Sequence, residues 1–414
     1  MASKKLITRL LRLKGLKVVD VWFRPRSKEF SLRVKPYKNG CLCPECNRRG
    51  RIVRIMPETR TWRDVTVCGW RVFFHYCAKE IMCPTHGRVQ EVIPWADPFA
   101  RVTYRLEYNI LIFSRLMTQK AAAEIIHIAQ STFSDILHRT IERIRAGHKI
   151  RGLRCIGIDE VSYRKGQKYV TVVYDLERSC VVWIGKGKAR KTIDRFFMEE
   201  LSSFQRKQVQ WACCDMSETY IGAIKKHIPN AKLVLDRFHI VKALNNAIDE
   251  LRKEEWRQVT GAERKALKGL RWILFKHPSN RSKKDKQILA QLRKSNRRIH
   301  RACVLGDEFN QFWNYEAEWA ARRFLKRWST AALKSRLEPL RKFVHTLRRH
   351  TENILTFTKS RLTNAVSEGL NRIIRIIRNR ASGFRSLWAF MDLIYLTIGD
   401  VDIPAQIPAR FRTL

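Results

Sequence analysis

Along the chain the spacing of apolar positions changes character several times. Through residues 1–100 short apolar runs are broken by turn signals at Pro36, Asn39-Gly40 and Pro57, a pattern of strands and loops. Between 101 and 150 the apolar residues Leu106, Ile110, Ile112, Phe113 and Leu116 recur at three-to-four spacing, which predicts helices. From Cys155 to about His239 the pattern alternates. CIGID, YVTVVYDL, CVVWIGKG, VQWACCD and AKLVLD read as strands, and TIDRFFMEELSSF and TYIGAIKKHI as helices. About a hundred helical, basic residues follow, carrying Trp256, Trp272, Trp313, Trp319 and Trp328. A last basic helix spans roughly Leu362 to Arg380. Gly383, Phe384 and a closing apolar helix complete the chain.

Charge narrows the class of partner. The 414 residues carry 83 Lys and Arg against 38 Asp and Glu, a formal net charge of +45. A surplus of that size repels itself in a compact fold unless a polyanion is the usual partner, and nucleic acid is the common one. An anionic membrane surface fits less well, because the basic residues run the whole length instead of forming one amphipathic stretch. No apolar run approaches the ~18 residues of a membrane helix. The start, MASKKLITRLLRLKG, has a transit-peptide flavour but no apolar signal core, and it runs straight into VVDVWF; it reads as mature structure. The 11 cysteines are odd in number and scattered, which favours reduced thiols, some on metal, over a disulfide framework.

Two N-terminal features carry candidate chemistry. Cys43-Pro-Glu-Cys46 and Cys83-Pro-Thr-His86 are paired knuckles, and thiolate and imidazole at two-residue spacing suit tetrahedral Zn²⁺. Cys41, Cys68 and Cys77 are spare thiols that leave the ligand set open. Downstream, TQKAAAEIIHIAQSTFSDILHRTIERI reads as helix, turn, helix, with Ser131 or Thr132 as the expected N-cap of the second helix. In a helix-turn-helix that second helix enters the major groove N-terminus first, so Gln130, Ser131, Thr132 and Ser134 would face bases. Any basic three-helix unit can share the pattern for packing alone.

The acids are scarce, and three stand in conspicuous places. Asp159 ends a short apolar strand in Gly-Ile-Asp-Glu, Asp215 ends VQWACC, and Glu368 sits in the helical Asn364-Ala-Val-Ser-Glu-Gly-Leu-Asn371. Singly each has a plain explanation, Asp159 and Asp215 as turn formers and Glu368 as a partner of Arg372 one turn on. Together they suggest two-metal phosphoryl transfer, in which hard carboxylate oxygens clamp two divalent ions about 4 Å apart.

Three stretches, GIDEVSYRKGQKYVTVVYDL, CCDMSETYIGAIKKHIPNAKLVLDRFHIVKALN and RLTNAVSEGLNRIIRIIRNRASGF, resemble the bacterial ISL3 family of insertion-sequence transposases. The resemblance covers nearly the whole chain. It implies a zinc ribbon (1–100), a helix-turn-helix (101–150) and an α/β RNase H-like (DDE) catalytic core, residues 151–244 joined to 345–414 across a helical insertion (245–344). It places the family's first Asp on Asp159 and its Glu on Glu368. Related Mutator-like transposases carry an acid, a helix, a Pro, a strand, and then an acid or Cys ahead of a His. That order is matched by Asp215, Pro229 and Asp236-Arg-Phe-His239. Asp215 is therefore expected to be the second catalytic acid, with Asp236 the alternative and Asp236 and His239 in support. His86 departs from the family's ribbon, where a Cys is usual.

The implied activity is Mg²⁺- or Mn²⁺-dependent hydrolysis at element ends followed by joining of the 3′ ends to target DNA. The implied partners are double-stranded DNA and at least a second copy of the chain, in a bacterial cytoplasm at the nucleoid. A non-catalytic DNA-binding regulator derived from a transposase shares the charge, zinc and helix-turn-helix, but has no reason to keep all three acids. An exposed tryptophan of the insertion is a candidate for stacking on an unpaired base, with burial in the insertion's own core as the alternative.

Overall fold

A computed structural model describes residues 4–13, 15–36, 41–164, 166, 168–360, 365–384 and 386–412. The expected turn at Asn39-Gly40 and the segment Leu362 to Asn364 lie outside them. The chain divides into two compact units, Met1–Lys149 with Ile374–Leu414, and Ile150–Ile373.

The first unit opens with α1 (Lys4–Leu10), then β1 (Leu16–Arg24), β2 (Glu29–Pro36), β3 (Arg51–Val67), β4 (Trp70–Cys83) and β5 (Gly87–Gln90). They form one sheet in the order β1-β2-β4-β3, with β5 on β4. Pro57 does not end a strand as expected. β3 runs through it with a register shift between Ile55 and Thr59, where a residue without an N–H loses no ladder bond. Trp95 anchors the core beneath the sheet, edge-on to Trp62 at 5.5 Å and to Tyr76 at 5.4 Å. Three helices follow: α2 (Tyr104–Leu116), α3 (Gln119–Ile126) and α4 (Gln130–Ala146). Thr103 and Thr118 cap the first two by accepting from Leu106 and Ala121 N–H. α4 starts earlier than expected. His127 stops α3 in the left-handed conformation, which leaves only Ile128 and Ala129 as linker. Ala129 is the N-cap, and Ser131 and Thr132 fall inside the first turn.

The second unit is built on a five-stranded mixed sheet: β6 (Cys155–Arg164), β7 (Lys168–Asp175), β8 (Cys180–Lys186), β9 (Trp211–Cys214) and β10 (Lys232–Leu235), in the order β10-β9-β6-β7-β8. β6, β7 and β8 are an antiparallel meander; β9 and β10 run parallel to β6. The expected helix 192–204 is broken into α5 (Arg190–Arg195), a π-helical turn (Phe196–Glu200) and α6 (Ser203–Gln208). The break follows from Ser202, whose hydroxyl and backbone form a capping box with Gln205 and so start a new helix. α7 (Glu218–His227) connects β9 to β10.

Helices begin at Arg237 and continue to Ser360: α8 (Arg237–Gln258), α9 (Gly261–Phe275), α10 (Lys283–Ser295), α11 (Arg297–Phe309), α12 (Glu318–Lys334), α13 (Glu338–Arg349) and α14 (Thr351–Ser360). They share one apolar core with the sheet. Phe309, Phe312, Trp313 and Trp328 are buried in it, and the Trp328 indole donates to the Leu305 carbonyl at 2.9 Å. Trp272 and Trp319 are exposed. α15 (Ala365–Arg380) and α16 (Leu387–Ile398) complete the main elements, and Asp392 of α16 reaches His138 of α4 at 2.9 Å in the first unit. Among the described residues no helix is long and apolar enough to cross a membrane.

Candidate active site and metal centre

Three parallel strands bring three acids to one edge of the sheet. The β6–β9 register pairs Ile158 with Cys214, and the β9–β10 register pairs Cys214 with Leu235. The next residue on each strand is an acid, so Asp159, Asp215 and Asp236 stand in a row, one strand apart. The Asp236 N–H closes the row by donating to the Cys214 carbonyl at 2.9 Å. In open α/β sheets ligands gather outside the carboxyl ends of parallel strands, and this is that edge.

Hydrogen bonds and charge distinguish the three. Asp159 accepts from the Glu160 N–H at 2.7 Å and from the Asn371 amide at 2.7 Å. Its carboxyl is nonetheless held above the ordinary value. Burial is the main cause and the charge of Asp215 adds to it, against the Glu160 N–H, His239 and Asn371. Asp215 is half-buried and accepts from the Ser217 N–H at 2.9 Å. Asp236 is buried, caps α8 through the Phe238 N–H at 3.0 Å and lies 3.6 Å from His239 Nε2. The charge of Asp215 thus acts to raise Asp159, while Asp236 caps α8 and faces His239, which acts on Asp159 in the opposite sense.

Glu160 extends the cluster. Its carboxylate accepts from the Tyr220 hydroxyl at 3.3 Å and faces the Lys188 ammonium at 3.8 Å. Burial pushes its pKa up and Asp215 and Asp159 add to the push, opposed by Lys188 and Tyr220. Carboxylates along one strand edge offer the hard oxygen donors that divalent cations prefer, though among the described residues no three of them bring their oxygens within 4.8 Å of one another.

Glu368 stands on the first turn of α15. That helix approaches β6 closely. A Cβ at Gly157 would meet the Ser367 hydroxyl and a Leu176 methyl at 2.8 Å, so the glycine is what permits the contact. One turn beyond Glu368, Asn371 links α15 to the sheet, accepting from the Tyr174 hydroxyl at 2.6 Å while donating to Asp159. Asn371 had a signal in the sequence, three residues after Glu368 and hence on the same helix face, but neutral amides are too common for that spacing to single it out. Glu368 itself is exposed and lines a cavity of about 410 Å³ that Asp236 also lines. Among the described residues Asp159, Asp215 and Glu368 do not bring their oxygens within 4.8 Å of one another.

The N-terminal knuckles do converge. Cys43, Cys46, Cys83 and His86 place their ligand atoms within 4.8 Å of one another. Cys43 Sγ to His86 Nδ1 is 3.6 Å, Cys46 Sγ to Cys83 Sγ 3.5 Å and Cys83 Sγ to His86 Nδ1 3.7 Å. A tetrahedron with Zn–S of about 2.3 Å and Zn–N of about 2.0 Å has edges of roughly 3.5–3.8 Å, so the donors fit zinc. Burial acts to raise the Cys83 thiol, yet the His86 and Thr85 N–H groups and the His86 ring bring it down to about 6. Gly50 lets the first knuckle lie against β4, since a Cβ there would meet the Met82 carbonyl at 2.8 Å. The spare thiols are elsewhere: Cys41 faces Lys79 at 3.8 Å, Cys77 faces Thr59 at 3.3 Å, and Cys68 is exposed.

At the start of α4, Gln130, Ser131 and Thr132 are exposed and Ser134 is half-buried. Gln130, Ser131 and Ser134 line a cavity of about 450 Å³ shared with Arg380 and Trp388.

Comparison with known proteins agrees with this geometry. The family model described as Transposase, of the DDE ISL3 type, matches residues 156–394. The transposase for insertion sequence element IS1001 of Bordetella parapertussis is 28% identical over 395 residues, 93% of this chain and 96% of that protein. The transposase for IS1557 of Mycobacterium tuberculosis is 27% identical over 383 residues, 86% of this chain and 85% of its own. A mixed α/β domain with an acid-lined strand edge and this match is a transposase domain of the DDE class. The chain belongs to the ISL3 family of insertion-sequence transposases.

Proposed function

We propose that the protein binds the terminal inverted repeats of its element, hydrolyses the phosphodiester at each end and joins the freed 3′ hydroxyls to target DNA. Asp159, Asp215 and Glu368 are the catalytic acids in this reading, and Asp236 and His239 support them. The observation that carries it is the pairing of Asp159 and Asp215 at the ends of adjacent parallel strands, with the Asp215 charge acting on Asp159. The strand order β8-β7-β6-β9-β10, a three-stranded meander flanked by two parallel strands, supports an RNase H-like core. Residues 245–344, from within α8 to within α13, would then be the insertion, with residues 345–414 returning Glu368 to the core.

Magnesium or manganese ions held by the three acids would neutralise the phosphate and activate the attacking oxygen. The chain's own part is orientation. The Glu160 N–H and the Asn371 amide each take one oxygen of Asp159 and fix the plane of its carboxylate. The Asp236–His239 pair lies on the flank of the acid row, and His239 favours the ionised form of Asp159.

End recognition falls to the N-terminal unit. Cys43, Cys46, Cys83 and His86 would hold a structural zinc that folds the β3–β5 module, and α4 would present Gln130, Ser131, Thr132 and, less exposed, Ser134 to the major groove of DNA. Joining two ends requires at least two protomers in the DNA complex.

The test is direct. Purified protein is incubated with Mg²⁺ and a duplex carrying the repeats that border its gene, and the cuts are mapped at nucleotide resolution, with EDTA as control. Metal-dependent 3′-hydroxyl ends at the element boundary are expected. Tight binding without any cut would instead make the chain a DNA-binding regulator.

A further inference from the structure

The cavity beside Glu368 is unlike the rest of the acid-lined edge. One wall is apolar, built from Val241, Leu244 and Ile248 of α8 and Leu274 and Phe275 at the end of α9, while Arg237, Lys276, His277, Asp307 and Asn310 line the rest. Its volume, about 410 Å³, lies within the roughly 300–1,000 Å³ of small-molecule sites. Asp236 and Glu368 stand on its lining, so whatever enters comes to rest next to the acids. Phe238, two residues beyond Asp236, lines it as well and is 51% exposed. The Lys242 ammonium lies 5.9 Å from that ring. The Asn245 side chain, also on the lining, makes no hydrogen bond with the described residues.

These features define a ligand. The apolar wall and an open aromatic face call for a flat, apolar-faced group, and an amide without a partner among the described residues calls for a hydrogen-bonding edge. A planar heterocycle with polar edges satisfies both. In a chain with a net charge of +45 that handles DNA, a nucleobase is the heterocycle at hand. We propose that this cavity receives a base turned out of the duplex next to the cleaved phosphodiester, with Phe238 as its stacking face and Asn245 as a reader of its edge. Lys242, on the next turn of α8, is placed to meet the phosphate of the displaced nucleotide. No tryptophan lines this cavity among the described residues, although Trp272 and Trp319 of the insertion are exposed elsewhere. Trp313 is buried, edge-on to Phe357 at 5.1 Å and covered by the Arg237 guanidinium at 5.2 Å. The inference rests on the transposase reading and adds a base-specific step to it.

The experiment uses the full chain and a border duplex with 2-aminopurine placed in turn at each of the nucleotides around the terminal phosphodiester. In EDTA, where the DNA stays uncut, fluorescence is expected to rise on binding at one position only. Phe238→Ala should lower Mg²⁺-dependent cleavage by roughly 5- to 150-fold, the range of one base–aromatic stack. Phe238→Trp should stay within a few-fold of wild type. Phe238→Leu, which keeps apolar bulk without an aromatic face, should behave like the alanine variant and guards against a folding artefact. An abasic nucleotide at the fluorescent position should restore cleavage by Phe238→Ala, because no stacked base is left to extract; a merely structural role for Phe238 predicts no rescue. If wild type cleaves the duplex but no position brightens, or Phe238→Ala and Phe238→Leu cleave normally, the pocket assignment is overturned and the transposase reading stands. If wild type neither binds nor cleaves the border duplex, both fall.

Discussion

At the scale of single residues, Asp215 and Asp236 are the instructive pair, because they are one strand apart and only their surroundings differ. The charge of Asp215 acts to raise Asp159, whereas Asp236 caps α8 and faces His239. Asp159→Asn, Asp215→Asn and Glu368→Gln are each expected to abolish end cleavage and strand transfer while leaving DNA binding intact, since one lost carboxylate barely changes a net charge of +45. Asp236→Asn should retain measurable cleavage, reduced about 10–100-fold, as for partners that orient a metal ligand. Gel-based cleavage and binding assays on the four variants decide it. Full activity of Asp215→Asn together with a dead Asp236→Asn would exchange the two roles. The strand-end places of Asp159 and Asp215 were legible in the sequence because Asp and Glu are rare here and these two close apolar runs. Asn371 and the Glu160 cluster were not, because their meaning depends on α15 docking against β6, a contact that leaves no period in the chain.

At the scale of elements, spacing foretold the strands of the mixed sheet and most helices, while local hydrogen bonding set the boundaries. Ser202 split an expected helix, His127 advanced the start of α4, and Pro57 was absorbed into a bulge. The Cys43, Cys46, Cys83 and His86 cluster follows the same logic, since its knuckles were visible but setting Cys41, Cys68 and Cys77 apart from it needed the fold. About one zinc per chain is expected by elemental analysis, and Cys43→Ser or Cys83→Ser should unfold the module and weaken end binding, because three donors leave an incomplete shell. Freshly purified protein without zinc would rule this out.

The approach of α15 gives a second test: Gly157→Ala should push the helix off β6 and cut cleavage at least about tenfold, with DNA binding retained, if one-ångström displacements cost what they do in other active sites. The α4–α16 contact gives a third. Burial lifts the Asp392 carboxyl to about 7, against the counter-effects of His138 and Arg145 and with help from Glu142. A raised carboxyl favours the folded state below its ordinary value, and that advantage is lost as pH rises from about 4 through 7. Asp392→Asn, neutral at every pH, should therefore gain stability over wild type between pH 5 and pH 8, on the order of 1–3 kcal/mol at up to about 1.4 kcal/mol per unit. Thermal melts of both proteins at the two pH values read the difference, and a gap that does not change with pH would refute it.

For the whole molecule, the decisive quantity is charge, and the structure shows where the few acids go. Asp249 faces Arg252, Lys253 and Arg271, and Glu318 and Glu352 share Arg322 while Glu318 also holds Lys359. Much of the acidic minority is engaged in such pairs, and 38 acids cannot balance 83 Lys and Arg in any arrangement. A duplex with one phosphate charge per ~1.7 Å can offset the surplus. Binding should then be driven by counterion release and fall steeply with salt. If six to ten phosphates are neutralised, affinity for a border duplex should drop by about 10³–10⁵ between 50 and 200 mM salt. The slope should be similar for an unrelated duplex, because phosphate contacts carry no sequence information, whereas Gln130→Ala and Thr132→Ala should narrow the gap between the two duplexes without changing either slope. Fluorescence anisotropy over a salt series measures both. A shallow salt dependence, with border and unrelated duplex still well separated, would mean that base contacts and not the cationic surface dominate, and that the surplus charge serves another partner.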